Sequence, residues 1–314
     1  SEAYTLNTDG STERVVNDNN GNPIYTIHET VKDPQGNFTR TITYVDGTPT
    51  EVIKISGINN NQYTETIESL DGSKVITTKD SQNNIISVNN VSPLTDSGYT
   101  ETITFSSNNI VHEIVYNGAG DKVLSIKDSE GVITTKIETS AANQFASYSE
   151  KTTKYPENTS VEIQYNNDKS TTTISRDSEN NIIEQTIVSA KQLDGSYTII
   201  KSDGTNTLST STIYAKDNNG EHVEITEYPD GTTKEIKYKN DGGLSIINKS
   251  GDLITSYEEL SPINANGNQT KIIKDKDQNI ISTTIIYANK NRKITYADGS
   301  SQMFDPDGNI LGNT

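Results

Sequence analysis

The sequence predicts an all-β fold: an extended antiparallel β-meander of repeated hairpins, built largely as single-layer sheet. Three observations predict it. Turn signals recur about every 12 residues, the runs between them suit single strands, and the apolar content is too low for a packed two-layer core.

The chain has 314 residues, of which 30% are hydrophobic. Counted with glycine and without tyrosine, the apolar share is about 32%, against the usual ~45–50% for that set. Low hydrophobicity with a net charge of -17 also describes disordered chains, but those are poor in β-branched and aromatic residues. Here Thr-Ile-Thr-Tyr at 41–44 and Glu-Ile-Lys-Tyr at 235–238 typify runs that suit a pleated, half-solvated surface. The composition therefore reads as ordered strand.

The turns come first in the argument, because they set the strand length. Asp-Gly pairs stand at Asp9-Gly10, Asp46-Gly47, Asp71-Gly72, Asp194-Gly195, Asp203-Gly204, Asp230-Gly231 and Asp298-Gly299, where they supply the positive φ values that tight hairpins demand. A second turn type reads Lys/Arg-Asp-x-x-Gly/Asn before two aliphatics, at Asp80, Asp128 and Asp177, with a looser copy at Asp275. The three good copies are 48 and 49 residues apart, which marks an internal repeat.

A third landmark is an aromatic opening a Thr-rich strand, at Phe38, Tyr63, Tyr99, Tyr148 and Tyr197. Its intervals of 25, 36, 49 and 49 residues approximate two, three, four and four strands with their turns. A propeller needs blades of constant length, and a two-strand coil does not accept an odd strand without reversing polarity. A meander accepts variable units, because each strand pairs with its sequence neighbours. A β-solenoid of short coils is the alternative architecture.

The whole of 1–314 accordingly reads as one continuous elongated repeat region with units of about 25, 36 and 49 residues. In Tyr99-Thr-Glu-Thr-Ile-Thr-Phe105 one face carries Tyr, Glu, Ile and Phe and the other only Thr, so the sheet is wet on at least one side. About 25 strands stacked ~4.8 Å apart would extend roughly 100–120 Å as a rod or ribbon. No window holds a helical apolar period beyond about two turns, and Ser-Ala-Ala-Asn at 140–143 is too short for a helix.

Charge and chemistry narrow the function. With 26 basic against 43 acidic residues, the chain would repel phosphate backbones and anionic lipid, so nucleic acid and membrane insertion are not expected. No apolar run approaches the roughly 18–20 residues of a membrane span, and no leader of basic then apolar residues is visible ahead of Ser1. With no cysteine, neither a disulfide scaffold nor thiolate chemistry is available.

His28, His112 and His222 are far apart in sequence and lack metal-ligand spacing; they read as strand histidines. Nothing resembles a nucleophile elbow, and paired acids for glycoside hydrolysis would want a cleft rich in aromatics, whereas Trp is absent. No catalytic, cofactor-binding or metal-binding residue is assigned, no cofactor is expected, and the chain does not read as an enzyme. The acidic turns at Asp18, Asp217 and Asp305 resemble half of a calcium loop but lack its closing Glu, and read as turns. Sixteen tyrosines read as a cross-strand ladder in preference to a glycan-binding strip. Asn37, Asn90, Asn158, Asn248 and Asn268 are glycosylation acceptors if the source modifies secreted proteins.

The tail from Tyr296-Ala-Asp-Gly to Phe304-Asp-Pro-Asp-Gly-Asn-Ile-Leu311 resembles the tyrosine-aspartate repeats of bacterial RHS-type proteins, whose hairpins line large shells. The single-layer style is similar to that of spirochaete outer-surface lipoproteins. Neither likeness assigns the chain to a family.

The expected function is an extracellular or cell-surface structural or adhesive protein: a surface rod, or a filament or matrix subunit. Its partners would be copies of itself, joined through sheet edges or terminal strands, at Ala3-Tyr-Thr-Leu6 and Gln302-Met-Phe304. The alternative is a carbohydrate-binding module with surface glycans on a flat Tyr-rich face.

Overall fold

A computed structural model of the chain describes residues 1–48 and 50–313. Those residues form 27 strands of one sheet and no helix. The contacts divide the chain into two units, one of Ser1–Gln144 with Tyr148–Ser160, the other of Val161 onward with Phe145–Ser147.

The first unit carries β1 (Glu2–Leu6), β2 (Thr12–Asn17), β3 (Pro23–Glu29), β4 (Phe38–Tyr44), β5 (Glu51–Ile55), β6 (Gln62–Glu68), β7 (Lys74–Asp80), β8 (Ile85–Val91), β9 (Gly98–Phe105), β10 (Val111–Asn117), β11 (Lys122–Lys127), β12 (Ile133–Thr139) and β13 (Tyr148–Lys154). β14 (Thr159–Tyr165) crosses the boundary. The second unit carries β15 (Thr171–Arg176), β16 (Ile182–Val188), β17 (Tyr197–Ser202), β18 (Thr207–Ile213), β19 (His222–Glu227), β20 (Thr232–Tyr238), β21 (Leu244–Ser250), β22 (Leu253–Leu260), β23 (Gln269–Asp275), β24 (Ile280–Ile286), β25 (Arg292–Tyr296), β26 (Ser301–Phe304) and β27 (Ile310–Asn313). Inside each unit the strands pair antiparallel with their sequence neighbours, as a meander requires. The chain's last strand is β27, not the expected 302–304, because Asp305 turns the chain back once more: Asp305 N–H donates to Asn309 O at 3.0 Å.

Burial is that of a sheet without a core. The chain exposes 19646 Å², about half as much again as the roughly 12,900 Å² of a compact protein of 34.4 kDa. No large side chain is fully buried, and the buried hydrophobics are Ile27, Ile53, Ile55, Ile174 and Ile213 among the described residues. Every residue of β11 and of β23 is half-buried, whichever face it occupies. A strand covered on one side would alternate; these do not, so neither face is roofed by a second layer.

Two sequence grammars build one turn. At Asp80, Oδ1 accepts the N–H groups of Gln82 and Asn84 at 2.9 and 2.8 Å, and Asn84 Nδ2 donates to Oδ2 at 2.8 Å. At Asp71, one residue before glycine, Oδ1 accepts from Ser73 N–H at 2.9 Å. Both loops close alike: Asp80 N–H to Asn84 O and Asn83 N–H to Asp80 O, and Ser69 N–H to Ser73 O and Gly72 N–H to Ser69 O. The fourth residue alone is left-handed, at Asn83 (φ 71) and Gly72 (φ 86). The Asp-Gly pairs thus supply the expected positive φ, at the glycine alone. The aspartate stays at negative φ and caps amides, while glycine forms the bulge of a five-residue loop, except at Asp203-Gly204, where Asp203 N–H closes a four-residue turn onto Asn206 O.

Longer hairpins recur at 30–37, 56–61, 92–97, 140–147, 189–196, 214–221 and 261–268. All but 214–221, which opens with Tyr214, open with Ser or Thr, whose hydroxyl accepts a strand N–H eight or nine residues on. The bonds are Thr39 to Thr30 at 3.0 Å, Thr64 to Ser56, Thr100 to Ser92 and Ser149 to Ser140 at 2.8 Å, and Thr198 to Ser189 and Thr270 to Ser261 at 2.9 Å. This explains the aromatic-Thr landmark: in five of the six, the residue whose amide is caught follows Phe38, Tyr63, Tyr99, Tyr148 or Tyr197. Gln269 stands in the sixth copy, which the sequence pattern misses. Ser189→Ala should lower stability by about 1 kcal/mol, the net worth of such a bond. An unchanged urea midpoint would count against the hydroxyl's role.

The odd interval has a geometrical consequence inside the first unit. Register places Tyr25, Ile27, Ile42, Tyr44, Ile53 and Ile67 on one face of β3–β6, with Thr26, Thr41, Thr43 and Thr66 on the other. Followed through β7 and β8, the same register puts Tyr99, Ile103, Ile114, Tyr116, Leu124 and Ile126 on the opposite face. The long hairpins change ends too: 30–37 and 56–61 close odd-to-even strand pairs, whereas 92–97 closes an even-to-odd pair. Chirality couples the two reversals. A hairpin of L-residues that runs the other way in the same stacking order must be rotated about the stacking axis, and that rotation exchanges both ends and both faces.

Candidate functional site

The histidines are placed by their strands and are not brought together. His28 on β3 lies opposite Glu13 and Thr41. His112 on β10 meets the Phe105 ring edge-on at 4.9 Å. His222 on β19 lies flat on Tyr238, with centroids 4.4 Å apart and planes 3° apart, and Tyr238 Oη donates to Glu224 Oε2 at 3.0 Å. Burial, and then that carboxylate, push the Tyr238 phenol up from its usual range. Among the described residues no three His, Asp or Glu side chains gather as a metal site.

The acidic turns spend their carboxylates on themselves. Asp18 Oδ1 accepts from Asn20 and Asn22 N–H at 2.8 Å, and Asp305 Oδ1 from Asn309 N–H at 2.7 Å. The Asn22 amide at Asp18, and at Asp305 the Asn309 side chain followed by its amide, hold both carboxyls below the ordinary aspartate value. Asp217 takes two amides in the same way, from Asn219 and Glu221.

The tyrosines pair across strands. Tyr25 and Tyr44 are tilted at 5.7 Å, and Tyr99 and Tyr116 stack at 4.5 Å. The exposed Tyr4, Tyr148, Tyr155, Tyr214, Tyr228 and Tyr296 are spread over both units. Of the glycosylation acceptors, Asn37, Asn90 and Asn158 are exposed and Asn248 and Asn268 half-buried. Asn37 is also tied into the fold, accepting Gly57 N–H and donating to Asp33, both at 2.8 Å.

The concave surfaces lie at the long hairpins. In the first unit an open groove of Phe38, Arg40, Ile55, Ile58 and Tyr63 runs between hairpins 30–37 and 56–61, with the Lys32 ammonium 5.1 Å over Phe38. Another groove forms around Leu94, Tyr99 and Tyr116. In the second unit Tyr214, His222 and Val223 border a groove beside the Lys237–Glu221 ion pair at 2.7 Å. That carboxylate raises the lysine's pKa. The grooves at Phe38 and at Tyr214 join aromatic faces to ion-paired side chains, an arrangement suited to contact.

Sheet edges complete the inventory. β1 is exposed throughout, with Tyr4 67% and Leu6 66% accessible. Asn7 N–H reaches Ser11 O and Asn17 N–H reaches Ser1 O. Antiparallel alternation therefore turns the amides of Ala3 and Thr5 toward β2 and those of Glu2, Tyr4 and Leu6 outward.

No protein-family model matches the chain, and no curated protein matches it. Among solved structures it is similar to the TCP10 domain of Danio rerio CPAP in complex with a peptide of Danio rerio STIL, at 12% identity over 100% of this chain and 99% of that one, with a TM-score of 0.14. The wild-type TCP10 domain of Danio rerio CPAP is 14% identical over 90% of this chain and 98% of that one, with a TM-score of 0.15. TcdB2-TccC3 without its hypervariable C-terminal region is 9% identical over 96% of this chain and 23% of that one, with a TM-score of 0.17. Scores this low carry no argument about this chain's fold, partners or activity.

Proposed function

We propose that this protein is a structural subunit of the cell exterior that works by joining copies of itself into a filament or matrix. The observation that carries the reading is the half-exposed faces, since a sheet that no second layer roofs leaves surface for other chains. The exposed Tyr4 and Leu6 of β1 add apolar surface to one of those faces. The acidic, repetitive surface suits an external setting.

Light scattering and negative-stain electron microscopy across a concentration series test the proposal, with and without Ca²⁺. Ordered assemblies that grow with concentration are the expected result. A protein that stays monomeric at every concentration would refute it.

A further inference from the structure

We infer that copies associate face to face through two apolar patches carried on opposite faces of the first unit, so that the assembly is open-ended and not a closed dimer. The inference deepens the self-association reading above and rests on it. The first patch lies on β1–β7, around Tyr25, Ile42, Tyr44 and Ile67; the second lies on the other face of β8–β12, around Ile103, Ile114 and Leu124.

The second copy is the occupant for three reasons. The area suffices: seven strands ~4.8 Å apart and about 21 Å long present roughly 600 Å² per copy, or ~1,200 Å² for an isologous pair, at the lower bound of specific interfaces. The charge is already arranged, because the carboxylates on the first patch face have partners of their own. Glu29 meets Arg40 and Glu65 meets Lys79 at 2.7 Å, Glu2 meets Arg14 at 3.6 Å, and Glu51 accepts from Tyr44 Oη at 3.1 Å. Docking on that face therefore buries three ready-made ion pairs, and Glu51 with the Tyr44 hydroxyl as its hydrogen-bond donor. The architecture allows it, since two single-layer sheet faces can pack as the halves of a β-sandwich, ~10 Å apart.

Opposite placement decides the form of the assembly. One self-complementary patch closes a two-fold dimer. Two such patches facing away from each other leave one free on every added copy, so growth continues. The net charge of -17 opposes the approach of copies and is screened as the Debye length falls from ~10 Å at 0.1 M salt to ~3 Å at 1 M. Assembly should therefore strengthen with salt.

The test uses the full chain. Ile67 is 36% exposed, so Ile67→Lys should leave the circular dichroism and urea midpoint near those of the parent. It should limit assembly to dimers formed through the second patch. Leu124→Lys should limit it to dimers through the first, and the double variant should need about tenfold or more concentration to associate at all. Leu124 is half-buried, so a cysteine pair guards against misfolding. The chain has no cysteine, and Ile67→Cys and Leu124→Cys should each cross-link copy to copy with a short bismaleimide, whereas Val115→Cys, exposed and outside both patches, should not. Assembly that survives both lysine variants but is lost on Tyr4→Pro would overturn face-to-face packing and leave joining at the sheet edge. Monomers in the parent protein would remove the self-association reading itself.

Discussion

Gly98→Ala is expected to break the start of the β9–β10 pairing and to cost about 3 kcal/mol or more. Gly98 opens β9 at φ +107, and a Cβ there would fall on the carbonyl oxygen of Tyr116, with Asn117 Cα close behind. Both obstacles are backbone, so no rotamer change relieves them. Gly118 is the reciprocal position, where a Cβ would fall on Asp96 O. Gly72→Ala is the control: its φ of +86 is also left-handed, but nothing lies within 4 Å, so only the conformational cost of about 1–2 kcal/mol applies. Urea midpoints of the two variants measure the difference. Equal losses would mean that the close approach at Gly98 carries no weight.

Acid is expected to unfold the protein well before denaturant alone would suggest. The turn aspartates, among them Asp9, Asp71, Asp80, Asp177, Asp230 and Asp298, are held below their ordinary value by turn amides and by Asn, Ser or Thr side chains. In the unfolded chain each returns to about 3.9. A depressed folded pKa means that the unfolded state takes up the proton first, so the stabilisation is complete above the unfolded value and is lost as pH falls through the folded one. The urea midpoint should be level from pH 7 to about 5 and fall steeply from about pH 4 downward. Neutralising the acidic excess acts the other way, by relieving repulsion. That repulsion is screened over ~10 Å at 0.1 M salt, whereas the turn bonds act at contact, so the turns should prevail. A midpoint at pH 3 equal to that at pH 7 would show the turns to be dispensable.

Much of this architecture is legible in the sequence because it is local. Asp-x-x-Gly/Asn and Asp-Gly mark turns through the preferences of four or five adjacent residues, and the runs between them are too short and too rich in Thr, Ile and Tyr for anything but strands. The grooves are less legible. Tyr63 signals a strand opening, but its place beside Phe38 depends on how hairpins 30–37 and 56–61 lie together, where Gly57 meets the Gln35 carbonyl. Glycine at 57 hints at close approach without naming the neighbour.

By itself the sequence determined the all-β class, the strand length, the turn chemistry and the absence of enough apolar matter for a second layer, all of which follow from composition and short-range pattern. Only the tertiary structure decided which face each apolar series occupies. Face is a cumulative property: it depends on the register of every preceding pair and on whether an even or an odd number of strands separates two copies of the repeat. The 36-residue interval between Tyr63 and Tyr99 spans three strands. Because L-residues forbid a mirror image, that odd step turns the repeat over, and an apolar series that began on one face of the sheet continues on the other.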